Sequence, residues 1–99
     1  MLDLNELEQF VTFAKYGTLS KTAEILNISQ PTITRTMQHV EEAFEVTLFE
    51  RGKNRIALNE TGEKAVECAE KLLREAENAI QTVQTFDKNM HTIKVESCA

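Results

Sequence analysis

The side chains with the most specific chemistry in this chain fall between residues 29 and 55. Gln30, Pro31, Thr32, Thr34, Arg35 and Gln38 lie within nine residues and are short hydroxyls or planar, fork-shaped groups. A guanidinium matches the two acceptors on a guanine edge and a carboxamide matches adenine, while threonine methyls and a proline ring pack on a thymine methyl. Further on, Arg51, Lys53 and Arg55 put three cations within five residues, suited to backbone phosphates or the minor groove. Enzymatic chemistry has no comparable support. The sequence holds no His–Cys–Asp grouping, no carboxylate pair in a plausible pocket and no glycine-rich phosphate loop. A protein-interaction module is the other alternative, and it would call for acidic or apolar residues where Pro31, Thr34, Arg35 and Gln38 stand.

Charge at first argues against a nucleic-acid partner, because the 99 residues carry a net charge of -5. The distribution argues the other way. No Asp or Glu occurs at positions 25–40 or 51–59; the acids gather at the N-terminus, at Glu41, Glu42 and Glu45, and from Glu60 onward. Cys68 and Cys98 fit neither a disulfide framework nor a zinc spacing, so no metal site is expected and reduced thiols are the plain reading. His39 is expected to be solvated or near a phosphate. The first residues do not resemble a signal peptide and no apolar run approaches bilayer-spanning length, which gives a cytoplasmic expectation.

These side chains need elements to hold them. Asp3 and Glu6 have capping-box spacing, and Leu4, Leu7, Val11 and Ala14, widened by Phe10, recur at helical spacing up to Gly17, a helix-ending residue. A short second helix opens at Thr18 or Leu19, turns Leu19, Ala23 and Leu26 inward and stops near Asn27, with Ile28 plugging the turn. Ser29 is a good cap for a third helix with Pro31 in its first turn. There Ile33, Met37, Val40 and Phe44 form one apolar stripe, opposite Pro31, Thr34, Arg35 and Gln38. Two helices joined by a tight turn, the second exposing small polar groups, make a helix-turn-helix. Residues 46–51 and 55–58 read as strands joined by a tip at Gly52-Lys53-Asn54, a basic wing. Asn59 caps a fourth helix in which Gly62, Ala65, Ala69, Leu72, Ala76, Ala79, Val83, Phe86 and Met90 alternate steps of three and four, with Val66, Leu73 and Ile80 beside them. This is a heptad seam. Its first turns must cover the small domain; beyond Leu72 it calls for another chain. Cys68 stands one place off the seam. Thr92-Ile93-Lys94-Val95 alternates and is β-branched, like a strand.

Leu7-Glu8-Gln9-Phe10, Gly17-Thr18-Leu19-Ser20, Ala23-Glu24, Leu26-Asn27-Ile28-Ser29-Gln30-Pro31, Thr34-Arg35, Glu41-Glu42, Leu48-Phe49-Glu50-Arg51 and Leu58-Asn59-Glu60-Thr61-Gly62 together resemble the LysR-type transcriptional regulators. The resemblance covers nearly the whole chain and implies a mainly α winged helix-turn-helix at residues 1–58, of three helices and a two-stranded wing. A linker helix at 59–89 would follow, pairing antiparallel with its twin, and 90–99 would begin an absent C-terminal effector domain. It further implies that Gln30, Pro31, Thr32, Thr34 and Arg35 face bases or nearby phosphates, and that Thr18, Ser20 and Ser29, with Lys21 a weaker candidate, touch phosphates. The wing cations would reach the minor groove. The expected partners are double-stranded operator DNA with an inverted repeat and a second copy bound through Ala69, Leu72, Leu73, Ala76, Ala79, Ile80, Val83 and Phe86. A tetramer is expected for full-length chains, and a small-molecule effector for the absent domain, with no cofactor in these residues. Thr22 stands where the family usually has alanine and is expected to bond back to a carbonyl. Glu45 replaces a common glycine, which predicts a strained or differently closed turn. Asn59 and Thr61 stand for a usual Thr and Ala.

Overall fold

The computed structural model describes residues 2–53 and 55–98, those from 91 onward by backbone alone. The chain runs α1 (Leu4–Tyr16), α2 (Leu19–Leu26), α3 (Gln30–Phe44), β1 (Phe49–Gly52), β2 (Arg55–Leu58) and α4 (Glu60–Cys98). The strands pair antiparallel from Phe49 opposite Leu58 to Gly52 opposite Arg55.

Local signals set each boundary. The Asp3 carboxylate accepts the Glu6 N–H at 2.8 Å and Glu6 accepts the Asp3 N–H in return, so two orphan donors of the first turn are satisfied. Gly17 closes α1 at φ 84° and Asn27 closes α2 at φ 55°, both left-handed. Thr18 Oγ1 caps α2 by accepting the Lys21 N–H, and Ser29 caps α3. Thr22, fully buried, donates to the Thr18 carbonyl at 2.7 Å, the back-bond expected of it.

The core is where α1 meets α3, the wing and the first turns of α4. Leu7, Phe10, Phe13, Ile33, Met37, Val40, Leu48, Phe49, Ala65 and Ala69 are buried together, with Leu19, Ala23, Leu26 and Ile28 packed against them. Phe49 anchors the wing, its ring meeting Phe10 at 5.9 Å and Phe13 at 5.8 Å edge to face. Such pairs add about 0.5–1.5 kcal/mol each beyond burial. Asn59 starts α4: its Oδ1 accepts the Gly62 N–H at 2.7 Å and its Nδ2 donates to the Thr47 carbonyl at 3.0 Å.

Four expectations are corrected. Phe44, placed on the buried stripe, is 36% exposed; it sits in the last turn of α3, beside Leu2, His39, Glu42 and Ala43 at the rim of the core. The first strand begins at Phe49 rather than at residue 46, because the Leu48 N–H is given to the Glu41 carboxylate before the ladder starts. Thr92 to Val95 continue α4 instead of forming a strand; no glycine or proline follows Gly62 to stop the helix, and a lone strand has no edge to pair with. Finally, Ala69 is 1% exposed within the chain's own core and Leu73 packs against it, so these two members of the expected dimer seam face their own domain. Of the expected hairpin tip, Asn54 lies outside the described residues, as do the side chains of His91 and Cys98.

Glu45 answers the question posed by its sequence position. It closes α3 in the left-handed region at φ 59°, ψ 28°, its N–H bonded to the carbonyls of Glu41 and Glu42. The turn keeps a glycine geometry with a non-glycine residue, which costs roughly 1–2 kcal/mol. Glycine returns part of that gain through its larger unfolded-state entropy. Glu45→Gly is therefore expected to stabilise the fold by on the order of 0.5–1 kcal/mol, read as a higher urea midpoint with unchanged slope; a lower midpoint contradicts the strain.

Candidate nucleic-acid interface

The third helix presents two faces. Ile33, Thr36, Met37 and Val40 are buried, which turns Gln30, Pro31, Arg35 and Gln38 outward as exposed side chains, with Thr32 and Thr34 half-buried at the edges. The buried Thr36 was not apparent from the sequence. Ser29 Oγ lies 2.8 Å from Thr32 Oγ1, so both hydroxyls are tied into the start of the helix.

Three elements meet at the positive ends of two helices. Gly17, Thr18, Leu19 and Ser20 at the start of α2, Gln30 at the start of α3, and Arg55 and Ile56 of β2 line one open cleft. Thr18, Ser20, Lys21 and Ser29 are all exposed. Unsatisfied N–H groups and helix dipoles favour an anion at such a place, and Arg55 adds a full positive charge beside them. Lys53 is exposed at the tip of the hairpin.

Arg51 is placed differently from the other wing cations. Its Nη2 donates to Glu41 Oε1 at 3.0 Å, and its guanidinium lies 5.9 Å from the Phe49 ring centroid. Glu41 is the residue that sequence reasoning missed. Its Oε2 accepts the N–H groups of Leu48 at 2.8 Å and Phe49 at 3.2 Å, fastening the root of the wing to the end of the third helix. Burial pushes the Glu41 carboxyl up, but the two backbone N–H donors and the Arg51 guanidinium outweigh it and hold it below the usual carboxylate range. The partners are seven to ten residues away, too far for a local motif to signal them. His39 is exposed, as expected of a solvated side chain, and its Nδ1 also pairs with Glu6 Oε2, linking α3 to the first turn of α1. Among the described residues no cluster suited to a metal ion occurs, and no helix is long and apolar enough to cross a membrane. Cys68 is a free, exposed thiol.

The middle of α4 carries an exposed apolar row. Leu72, Ile80, Val83 and Phe86 are 52%, 57%, 67% and 66% exposed; Ala76 is half-buried and Ala79 exposed.

Residues 4–63 match the family model of bacterial regulatory helix-turn-helix proteins, lysR family. The chain belongs to the LysR family. Among relatives, the regulator CfxR of Cupriavidus necator is 30% identical over 93% of this chain and 30% of its own length. YtlI of Bacillus subtilis is 41% identical over 77% of this chain and 24% of its own. Among solved structures, the DNA-binding domain of BenM in complex with catB site 1 DNA superposes with TM-score 0.81 at 26% identity, over 89% of this chain and 95% of that one. The CbnR DNA-binding domain in a DNA complex superposes with TM-score 0.80 at 31% identity, over 85% and 97%. This LysR-family chain therefore spans less than a third of the length of these two curated relatives, which are transcriptional regulators and not enzymes.

The Glu41 latch has a pH signature. A carboxyl whose folded-state pKa is depressed contributes stability that is present above its unfolded value, near 4.5, and is lost as pH falls through the lower folded value. Unfolding free energy is expected to fall more steeply between about pH 5 and pH 3 in the wild type than in Glu41→Gln. Parallel curves from urea titrations at each pH would contradict the latch.

Proposed function

We propose that residues 1–58 bind a specific DNA site and that the helix from residue 59 onward joins two copies, making this the operator-binding part of a LysR-type transcription regulator. The observation that carries the reading is the meeting of α2, α3 and the wing in one cleft beside an exposed face of Gln30, Pro31, Arg35 and Gln38. The third helix enters the major groove, where Arg35 and Gln38 reach base edges and Pro31, Thr32 and Thr34 pack beside them. Thr18, Ser20, Lys21 and Ser29 hold the flanking phosphates, and Lys53 and Arg55 reach backbone or minor groove. BenM and CbnR domains of the same fold have been solved with DNA, which supports the reading. The protein acts in the cytoplasm, a small-molecule effector belongs to a C-terminal domain outside these residues, and full-length chains assemble beyond the dimer.

Arg35→Ala separates base reading from phosphate holding. Losing a bidentate base contact costs on the order of 1–3 kcal/mol of discrimination. Measured by fluorescence anisotropy, the variant is expected to lose affinity for a site selected from genomic fragments and to bind random duplex nearly as the wild type does. Equal losses on both would make Arg35 a phosphate contact only.

The second copy sits on the exposed apolar row. Leu72, Ala76, Ala79, Val83 and Phe86 follow one seam with Ile80 beside it, and burying a single Leu or Phe contributes roughly 1.5–3 kcal/mol, enough over several residues to offset the entropy of association. A two-fold dimer sets two recognition helices at a fixed separation and so calls for an inverted repeat. Leu72→Glu with Val83→Glu is expected to convert a dimer to a monomer in analytical ultracentrifugation at micromolar concentration. It should also abolish the preference for paired over single half-sites. A dimeric double variant, or a monomeric wild type, removes the seam from assembly.

A further inference from the structure

The two strands of the wing sort its cations by face. Side chains alternate along a strand, so Phe49 and Arg51 share one face of β1. Their cross-strand partners Leu58 and Ile56 are half-buried on the same side. That face is turned toward the core at Phe49, Ile56 and Leu58, and Arg51, its side chain 48% exposed, stands at its outer end. Arg55 pairs with Gly52 and belongs to the other set, together with Glu50 and Ala57, all exposed. Arg51 is thus a cation on the inner face, with its guanidinium on the Glu41 carboxylate and above the Phe49 ring. Lys53 and Arg55 make no ion pair among the described residues.

We propose that Glu41 is a positioning residue which fixes the root of the wing and holds Arg51 off the DNA, so that each wing offers two phosphate-seeking cations rather than three. The proposal rests on the DNA-binding reading above and specifies how that surface is limited. The Glu41 side chain is 20% exposed, and its Oε2 is fixed by two backbone donors. Were Arg51 to swing to a phosphate, a largely enclosed carboxylate would be left without its cation. Paired, the two charges cancel and the wing root is neutral toward phosphate. Such a restraint limits non-specific affinity, which depends on the number of phosphates neutralised, while leaving base contacts of the third helix untouched. Glu41 would then favour specificity from a position that reads no base.

The salt dependence of binding counts phosphate contacts and so tests the idea directly. Wild type, Arg51→Gln, Glu41→Gln and the double variant are titrated with one short random-sequence duplex over a range of salt concentrations, using fluorescence anisotropy. Each phosphate contact contributes about 0.9 to the log–log slope. Arg51→Gln is expected to keep the wild-type slope. Glu41→Gln, which releases Arg51, is expected to steepen it by about 0.9 per wing, and the double variant to return to the wild-type value. A flatter slope in Arg51→Gln overturns the proposal, because Arg51 would already be on a phosphate. So does a folded Glu41→Gln whose slope does not steepen, and so does steepening that persists in the double variant. If circular dichroism finds Glu41→Gln unfolded, the Arg51→Gln slope decides alone. A wild-type chain that binds no duplex sinks the DNA-binding reading itself, whereas a binding wild type with a flattened Arg51→Gln sinks only this proposal.

Discussion

Leu48 is the point at which the third helix, the wing and the long helix are fastened to one another. Its N–H goes to the Glu41 carboxylate at the end of α3, and its carbonyl accepts the N–H of Asn59, the residue that caps α4, at 3.0 Å. Its side chain is fully buried among the aromatic rings of α1 and β1. Gly62 completes the arrangement: a Cβ there would stand 2.2 Å from the Leu48 carbonyl oxygen, so only glycine lets the first turn of α4 approach so closely. With these bonds made, the polar face of α3, the cations of the wing and the apolar row of α4 are held in one frame. Pairing two such rods, as proposed above, would fix the distance between two reading faces, which loosely jointed parts would not do.

The same frame explains how an acidic chain offers a cationic surface. Glu41 is neutralised by Arg51 and Glu6 is hydrogen-bonded to His39, while Glu42 and Glu50 stay exposed with no ion pair among the described residues. Most of the remaining acids lie along α4. The net charge of -5 therefore describes solubility and long-range repulsion and says little about the cleft where two helix N-termini and Arg55 converge.

What the sequence revealed was whatever has a local cause. Caps at Asp3, Ser29 and Asn59, left-handed stops at Gly17 and Asn27, and the stripe through Ile33, Met37 and Val40 each depend on residues within one or two turns, and all were legible. So was the exposure of Gln30, Pro31, Arg35 and Gln38, which follows from burying the opposite face. Features that depend on distant partners were not. The Glu41 latch spans seven to ten residues, and the His39 pair joins residues 33 apart. The late start of β1 follows from the latch. Phe44 shows that a stripe predicts burial only as far as a neighbouring element reaches, and Ala69 shows that a heptad does not say which helix it faces. Residues 92–95 have strand-like composition, yet backbone hydrogen bonding inside a helix needs no partner and a strand does.

The central claim is that the start of α2, the exposed face of α3 and the wing form one DNA-contacting surface. Chemical-shift changes of backbone amides, followed as the chain is titrated with a duplex carrying a selected site, test it most directly. Changes concentrated at residues 18–21, 29–38 and 51–56, with the amides of residues 76–90 unmoved, are the expected result. Changes centred on α1 or α4, with residues 29–38 unaffected, would contradict it.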